Sequence, residues 1–450
     1  MNRIRARFFP LAACATLAFA LTPEQRQLNI DSFEQVWKTV RDKHWQVKPA
    51  GLDWQAVHDE LRPAIEKADS MEAARAVMND MLGRLHQTHF GIVPSELYAD
   101  VGDEHRARDR TTGLDVRVVE AQVLVTSVDA GSPAASAGVQ RGWQIVQIAG
   151  IDLAPVVAKL KETYSQSSLR DIMLRRAILA RLEGDGGQPV KVGFLDGANQ
   201  PVSKNLARAK PKGTLTQFGY LYPSYVWFES SRAGGGNIGY VSFNMFLDPA
   251  RLMNQFGEAV SSCISAQDAA ASSPQENALP RRSVVRVPET CDGFIIDVRG
   301  NPGGLGAMAM GMAGWFIDKP DQQLGTLYMR DTTLKFIVNP RAKTFAGPLA
   351  ILVDGASAST SEILAEGLKD LGRARVFGTR TAAAALPSMF EKLPNGDGFQ
   401  YAVANYISEG GQPLEGLGVT PDVETPLTRR ALLDGKDPAL DAAIAWIRKK

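Results

Sequence analysis

The chain lacks an excess of charge of either sign: 50 basic residues stand against 49 acidic ones, for a formal net charge of +1. No basic field exists to hold nucleic acid or an anionic membrane surface, so neither partner is expected. Beyond its first twenty residues it also lacks an apolar run long enough to cross a bilayer, and no membrane span is expected. Histidine is scarce, with five residues at positions 44, 58, 86, 89 and 105. A histidine base, if one is used, must therefore come from the amino-terminal part. His86 and His89 are three residues apart at the end of an expected helix, but no cysteine or HExxH-type carboxylate accompanies them, and neither a metal nor another cofactor is expected.

Cysteine is scarcer still, at three residues. Cys14 falls in an amino-terminal stretch where Arg3, Arg5 and Arg7 precede an apolar run and Ala18-Phe19-Ala20 supplies small residues for a signal peptidase. This reads as a cleaved secretory signal over residues 1–20, hence a periplasmic or secreted protein; a lipoprotein box ending at Cys14 is the second option. Cys263 and Cys291 flank a segment rich in Ala, Ser, Pro and charge, an expected loop insertion at 264–290. In an oxidising compartment they would staple it at its base, the alternative being two free thiols.

What is present is a core-forming composition. Four hundred and fifty residues with 44% hydrophobic content can bury a sizeable interior and suggest several domains. Helical periodicity predicts an amino-terminal helical domain over 21–110, with one helix from Thr22-Pro23-Glu24, a second over 54–67 and a third over 71–85. Residues 111–205 open with two strands, then run AGSPAASAGVQRGWQIVQIAG over 130–150. From 206 to 432 strands and helices alternate as in a layered α/β core: strands near 238–243, 293–298 and 349–353, helices over 249–260, 305–317 and 360–371. Strand character returns around 399–407, and an amphipathic helix over 438–447 closes a carboxy-terminal segment, 433–450.

Two motifs carry chemistry. Asp297-Val298-Arg299-Gly300-Asn301-Pro302-Gly303-Gly304 follows a buried strand and opens a helix, where backbone N–H groups point at an anion. Residues 347–378 read as strand, turn of small residues, then helix, with three serines at the elbow. There a nucleophile meets free N–H groups and a positive helix dipole, although Ser359-x-x-Glu362 is equally a capping box.

The 130–150 stretch resembles a PDZ domain, and the two motifs after it resemble the carboxy-terminal processing serine peptidases and their relative, the tricorn core protease, over roughly residues 30–432. The resemblance implies an α/β multidomain fold: helical domain, PDZ-like domain and a mixed-sheet core of the processing-peptidase, crotonase-like kind. It implies Ser359 as nucleophile, with oxyanion donors from the N–H groups of Gly303 or Gly304 and of Thr360. The processing peptidases take a lysine base where this chain has Ala384, which cannot accept a proton, and the Arg380 nearby does not give one up. The tricorn-like branch instead takes a histidine preceded by a hydroxyl residue and a glutamate before Gly-Val-x-Pro-Asp, here Thr88-His89 and Glu415. The resemblance thus implies that His89 takes the proton from Ser359 while Glu415, through Thr88, orients His89. A PDZ-like unit implies capture of an extended peptide and its carboxylate at Gly113, Leu114, Asp115 and Val116, with Asp115 departing from the usual small residue. The substrate implied is a peptide or unfolded protein, cut near its carboxy terminus. A catalytically inactive binding protein remains open, since the core also resembles the repeats of retinoid-binding proteins of the eye. So does a small-molecule esterase or amidase.

Overall fold

In the computed structural model the described residues are 21–98, 110–165, 167–184, 187–272 and 291–450. The signal segment 1–20 with Cys14, His105, and 273–290 of the expected insertion lie outside them.

Three helices open the chain, each started by a polar cap. Thr22 Oγ1 accepts from Gln25 N before Pro23–Lys43, Asp53 from Ala56 N before Trp54–Lys67, and Ser70 from Ala73 N before Met71–Gly83. Their apolar stripes, Phe33, Val36 and Val40, then Val57, Leu61 and Ile65, then Met78, Met81 and Leu82, meet in one buried cluster. That cluster is completed from far along the chain by Leu393, Phe399 and Tyr401. Those three belong to or adjoin the hairpin Ser388–Lys392 and Gly398–Ala402, on whose open side Gly91–Val93 adds antiparallel. A buried ion pair bolts the same junction: Arg75 Nη2 and Nε lie 2.8 and 3.0 Å from the two carboxylate oxygens of Asp397.

Residues 111–205, where a PDZ-like unit is expected, form a six-stranded antiparallel sheet: 114–119, 122–128, 144–148, 190–195 and 201–206 in that order, with 151–152 paired to 144–148 off this path. Helix Arg170–Leu182 packs against its first strand. The α/β core is a six-stranded sheet in the order 228–233, 238–243, 293–297, 349–353, 374–378, 423–424, parallel except for its first pair. Strands Gly293–Asp297 and Leu349–Val353 are buried at every position, as a parallel sheet covered on both faces requires. Ile295, Ala350, Leu352 and Phe377 face the last helix, Pro438–Ile447. Phe294, Ile296, Ile351 and Val353 share the opposite cluster with Leu364 and Leu368 of the elbow helix Thr360–Asp370.

Three sequence expectations change. Helix Pro249–Ser272 runs twelve residues past the expected end at 260, into the expected loop, because nothing in 261–272 breaks a helix. Cys263 on that helix is joined to Cys291 by a disulfide. The strand region 399–407 divides into Gly398–Ala402 and Asn405–Ser408, which pair in different sheets. The third helix stops at Gly83, so His86 and His89 do not form a helical pair: both have positive φ, 50° and 61°.

Candidate active site

The elbow is formed where the fully buried strand Leu349–Val353 ends. Asp354 folds the turn by accepting from Gly300 N (2.8 Å) and Ala356 N (3.0 Å), and Ser357 Oγ donates to Val298 O at 2.8 Å. Ser361 Oγ donates to Asn301 O at 2.9 Å, so two of the three elbow serines are spent tying the turn to the glycine motif. Ser359 is the third. It caps the helix in a left-handed, strained backbone (φ 54°, ψ −116°), in the capping-box arrangement with Glu362. Such a conformation in a non-glycine residue persists only where the surroundings impose it, and here Ser359 N donates both to Ala384 O (2.8 Å) and to Glu362 Oε2 (2.9 Å).

The glycine motif lies directly against the elbow. A side chain at Gly303 would collide with Ser359 Cβ at 2.7 Å and with Thr360 N at 2.8 Å, and φ there is +96°, so only glycine allows the approach. The two candidate oxyanion glycines differ. Gly303 N donates to Asn301 Oδ1 at 2.9 Å, whereas Gly304 N and Thr360 N carry no bond among the described residues.

The histidine arrives from the other side. Glu415 Oε1 accepts from Thr88 N and Oε2 from the Thr88 hydroxyl, both at 2.9 Å, and Oε2 also accepts from Ala385 N at 3.1 Å. Thr88 Oγ1 lies 2.7 Å from His89 Nδ1. Its own proton goes to the carboxylate, so it must accept from Nδ1–H. That fixes the tautomer and leaves Nε2 with its lone pair. Burial lowers the His89 pKa to about 4 and raises that of Glu415, whose three donors pull it down. The segment is steadied by stacking of Phe90 on the buried His44, whose Nε2 lies 2.9 Å from Gln87 Oε1. No direct hydrogen bond joins Ser359 to His89 among the described residues. They are linked through the stretch 381–385, which bonds Ser359 and Glu362 on one side and Glu415 on the other.

Ala384 is fully buried, in a small cluster with Ala358, Ala382, Leu169 and Ile172. Arg380 does not enter that space; its guanidinium donates to Leu417 O and Gly416 O and so braces the turn behind Glu415. At the loop expected to capture a peptide, Gly113 N is taken by Thr111 Oγ1, and the Asp115 carboxylate is held by Arg175 (2.8 Å) and Arg117 (2.8 Å). These two cations keep Asp115 far below the usual carboxylate range despite its burial. Arg117 also reaches Asp354 at 2.8 Å, a direct link from the antiparallel sheet of residues 114–206 to the elbow that sequence reading did not find, because nothing in the local pattern around 117 marks it. Glu362 was legible only as a cap residue, and its four hydrogen bonds appear only in the fold. Among the described residues no cluster of His, Cys, Asp and Glu is arranged to hold a metal ion.

Comparison with known proteins bears on this arrangement. Residues 237–425 match the model of peptidase family S41, and residues 31–83 that of the tricorn protease C1 domain. A carboxyl-terminal-processing protease of Synechocystis is 26% identical over 91% of this chain and 83% of its own length. Tricorn protease homolog 1 of Streptomyces coelicolor is 24% identical over 92% of this chain, which spans only 34% of that protein. Among solved structures, the photosystem II D1 C-terminal processing protease aligns over 94% of this chain and 97% of its own, with a TM-score of 0.56 at 20% identity. Mature CPAF aligns over the same shares with a TM-score of 0.60 at 13% identity. The glycine motif, the serine elbow and the strands that carry them all fall inside the first family match, and the helices that lead to His89 fall inside the second: the chain belongs to peptidase family S41 and is a serine-type peptidase.

Proposed function

We propose that this peptidase cuts peptides or unfolded proteins near their carboxy termini, outside the cytoplasm, with Ser359 as nucleophile and His89 as its base. The observation that carries the reading is the Thr88 hydroxyl, held between His89 Nδ1 at 2.7 Å and Glu415 Oε2 at 2.9 Å. It leaves His89 Nε2 as a neutral acceptor for the Ser359 proton, and His89 then returns that proton to the leaving amine. Thr360 N at the first helical position and Gly304 N are the free donors for the oxyanion, reinforced by the positive end of the elbow helix. Ala384 supplies no base, so the histidine is the one acceptor of suitable chemistry from this set. The PDZ-like unit presents the substrate, its Arg117–Asp354 contact coupling it to the elbow. Export is supported by the signal-like amino terminus and by the Cys263–Cys291 disulfide.

The test is hydrolysis of an unstructured peptide supplied with a free or an amidated carboxy terminus. Ser359→Ala and His89→Ala are each expected to lose on the order of 10⁴-fold or more in kcat/KM with folding intact, because such groups act as a unit. The free carboxylate is expected to be preferred. Wild-type turnover in either variant would exclude the assignment.

A further inference from the structure

Glu362 lies at the third position of the elbow helix and is fully buried. Its carboxylate has four acceptor positions and all are filled. Oε1 accepts from the Thr381 hydroxyl at 2.5 Å and from Ala383 N at 2.8 Å; Oε2 accepts from Ser359 N at 2.9 Å and from Ala384 N at 3.0 Å. The Thr381 proton must point at the carboxylate, because Thr381 Oγ1 itself accepts from Val419 N at 2.7 Å. Four donors aimed at two oxygens match the ionised group. A protonated carboxyl would set its own O–H against one of them, and that bond would be lost.

What the four donors join is the point of interest. Ser359 N belongs to the nucleophile; Ala383 N and Ala384 N belong to the stretch whose next residue, Ala385, donates to Glu415 at 3.1 Å. One short stretch of chain is therefore held between two buried carboxylates, one fixing the nucleophile and the other the base. Where relatives with a lysine base would place that side chain, this chain packs Ala384 and leaves the elbow's registry to Glu362.

We propose that Glu362 is a positioning residue whose ionised carboxylate locks the serine elbow to residues 381–385, and that proton uptake by it unlocks the site and switches Ser359 off. This rests on the reading of Ser359 as nucleophile and His89 as base. The ionisable groups on the elements packed around it are Glu366 and Lys369 on the same helix, Arg380 on the bracketing stretch, Glu415 behind it and His89 beyond. None of these bonds to the Glu362 carboxyl among the described residues. Burial raises Glu362 to about 7, outweighing its four bonds, whereas burial lowers His89 to about 4. As pH falls, Glu362 therefore takes a proton well before the base does.

The experiment is the second-order rate at which a fluorophosphonate labels Ser359 in the full chain, measured from pH 4 to 9. Wild type is expected to lose rate about tenfold per pH unit below a midpoint near 7. Glu362→Gln, which cannot titrate, is expected to label more slowly at pH 8 but to keep its rate down toward pH 4, where His89 protonates. Thr381→Val removes one donor to the carboxylate and is expected to raise the midpoint by about one pH unit. It serves as the decisive variant should Glu362→Gln fail to fold by circular dichroism. An acid limb unchanged in Glu362→Gln, or a midpoint unmoved in Thr381→Val, overturns the proposal and leaves the nucleophile assignment standing. Labelling that survives in Ser359→Ala overturns that assignment instead.

Discussion

The elbow carrying Ser359 and the segment carrying His89 meet on opposite sides of residues 381–385, but different forces hold them. The elbow grows out of the parallel sheet: a fully buried strand leads in, a largely buried helix leads out, and Ser357, Ser361, Asp354 and Glu362 bond the turn in place. A strained φ at Ser359 survives because every neighbour is fixed by close packing. The His89 segment follows a helix that has already ended, is only half-buried, and owes its place to groups more than 300 residues away: Glu415 beneath Thr88, and Asp397 beneath Arg75. One half of the site is thus set by the interior of the parallel sheet; the other shares the apolar cluster of the amino-terminal helices with Leu393, Phe399 and Tyr401 and is tied across the chain by two polar bolts. The nucleophile half should resist perturbation, and the base half should fail piecemeal.

That contrast can be broken most sharply at the bolt beneath Thr88. Glu415→Ala removes the acceptor for both the Thr88 amide and hydroxyl, frees Thr88 to present its proton to His89 Nδ1, and turns Nε2 into a donor. A loss on the order of 10³-fold in kcat is expected, with KM little changed, since the tautomer and not substrate binding is affected. An equal rise in KM would show that the turn 415–418 binds substrate instead.

Next in size is the bolt beneath Arg75. Asp397 is fully buried and also accepts from Ser95 N at 2.9 Å. Asp397→Ala takes two of the three hydrogen bonds of the Arg75 guanidinium, leaving Nη2 on Glu96 Oε2 at 2.8 Å, and is expected to cost about 3 kcal/mol in urea unfolding, with protease sensitivity rising first in the amino-terminal helices. Uniform loss of protection across the sheet would contradict the division into two halves.

The smallest expected effect concerns the elbow itself. Ser359→Gly relieves the positive φ that Ser359→Ala retains, so the glycine variant should be the more stable of the two by about 1 kcal/mol, the relief exceeding the chain entropy glycine adds to the unfolded state. Equal stability would mean that the turn carries no strain.

The pH dependence of stability separates the halves in sign. Glu362 has its pKa raised on folding, so its contribution is full below its unfolded value near 4.5 and is lost as pH rises through about 7. His89 has its pKa lowered, so its contribution is present above 6.5 and is lost as pH falls through about 4. Between these limits the elbow gains competence as its stability falls, whereas the base half gains both together.

Much of this protein was legible in its residues. The cap at Thr22 marks a helix start, the buried runs at 293–297 and 349–353 mark strands, and the elbow and the glycine motif could each be placed where a strand ends and a helix begins, because these features arise from local periodicity and turn chemistry. The scarcity of histidine confined the choice of base to five positions, and the alanine at 384 excluded a lysine. What local pattern could not reach was partnership across the chain. That Arg117 of one sheet grips Asp354 at the end of a strand in another, that Asp115 is clasped by Arg175, and that Glu362 holds a chain segment beyond its own helix depend on which surfaces meet. A capping box reads the same whether its glutamate faces water or a buried loop. The sequence alone determined that a serine elbow and a glycine motif exist and that any histidine must come from the amino-terminal part. Only the tertiary structure decided that Thr88, Glu415 and Glu362 converge on residues 381–385, since burial and hydrogen-bond saturation are properties of the assembled interior and not of any stretch of chain.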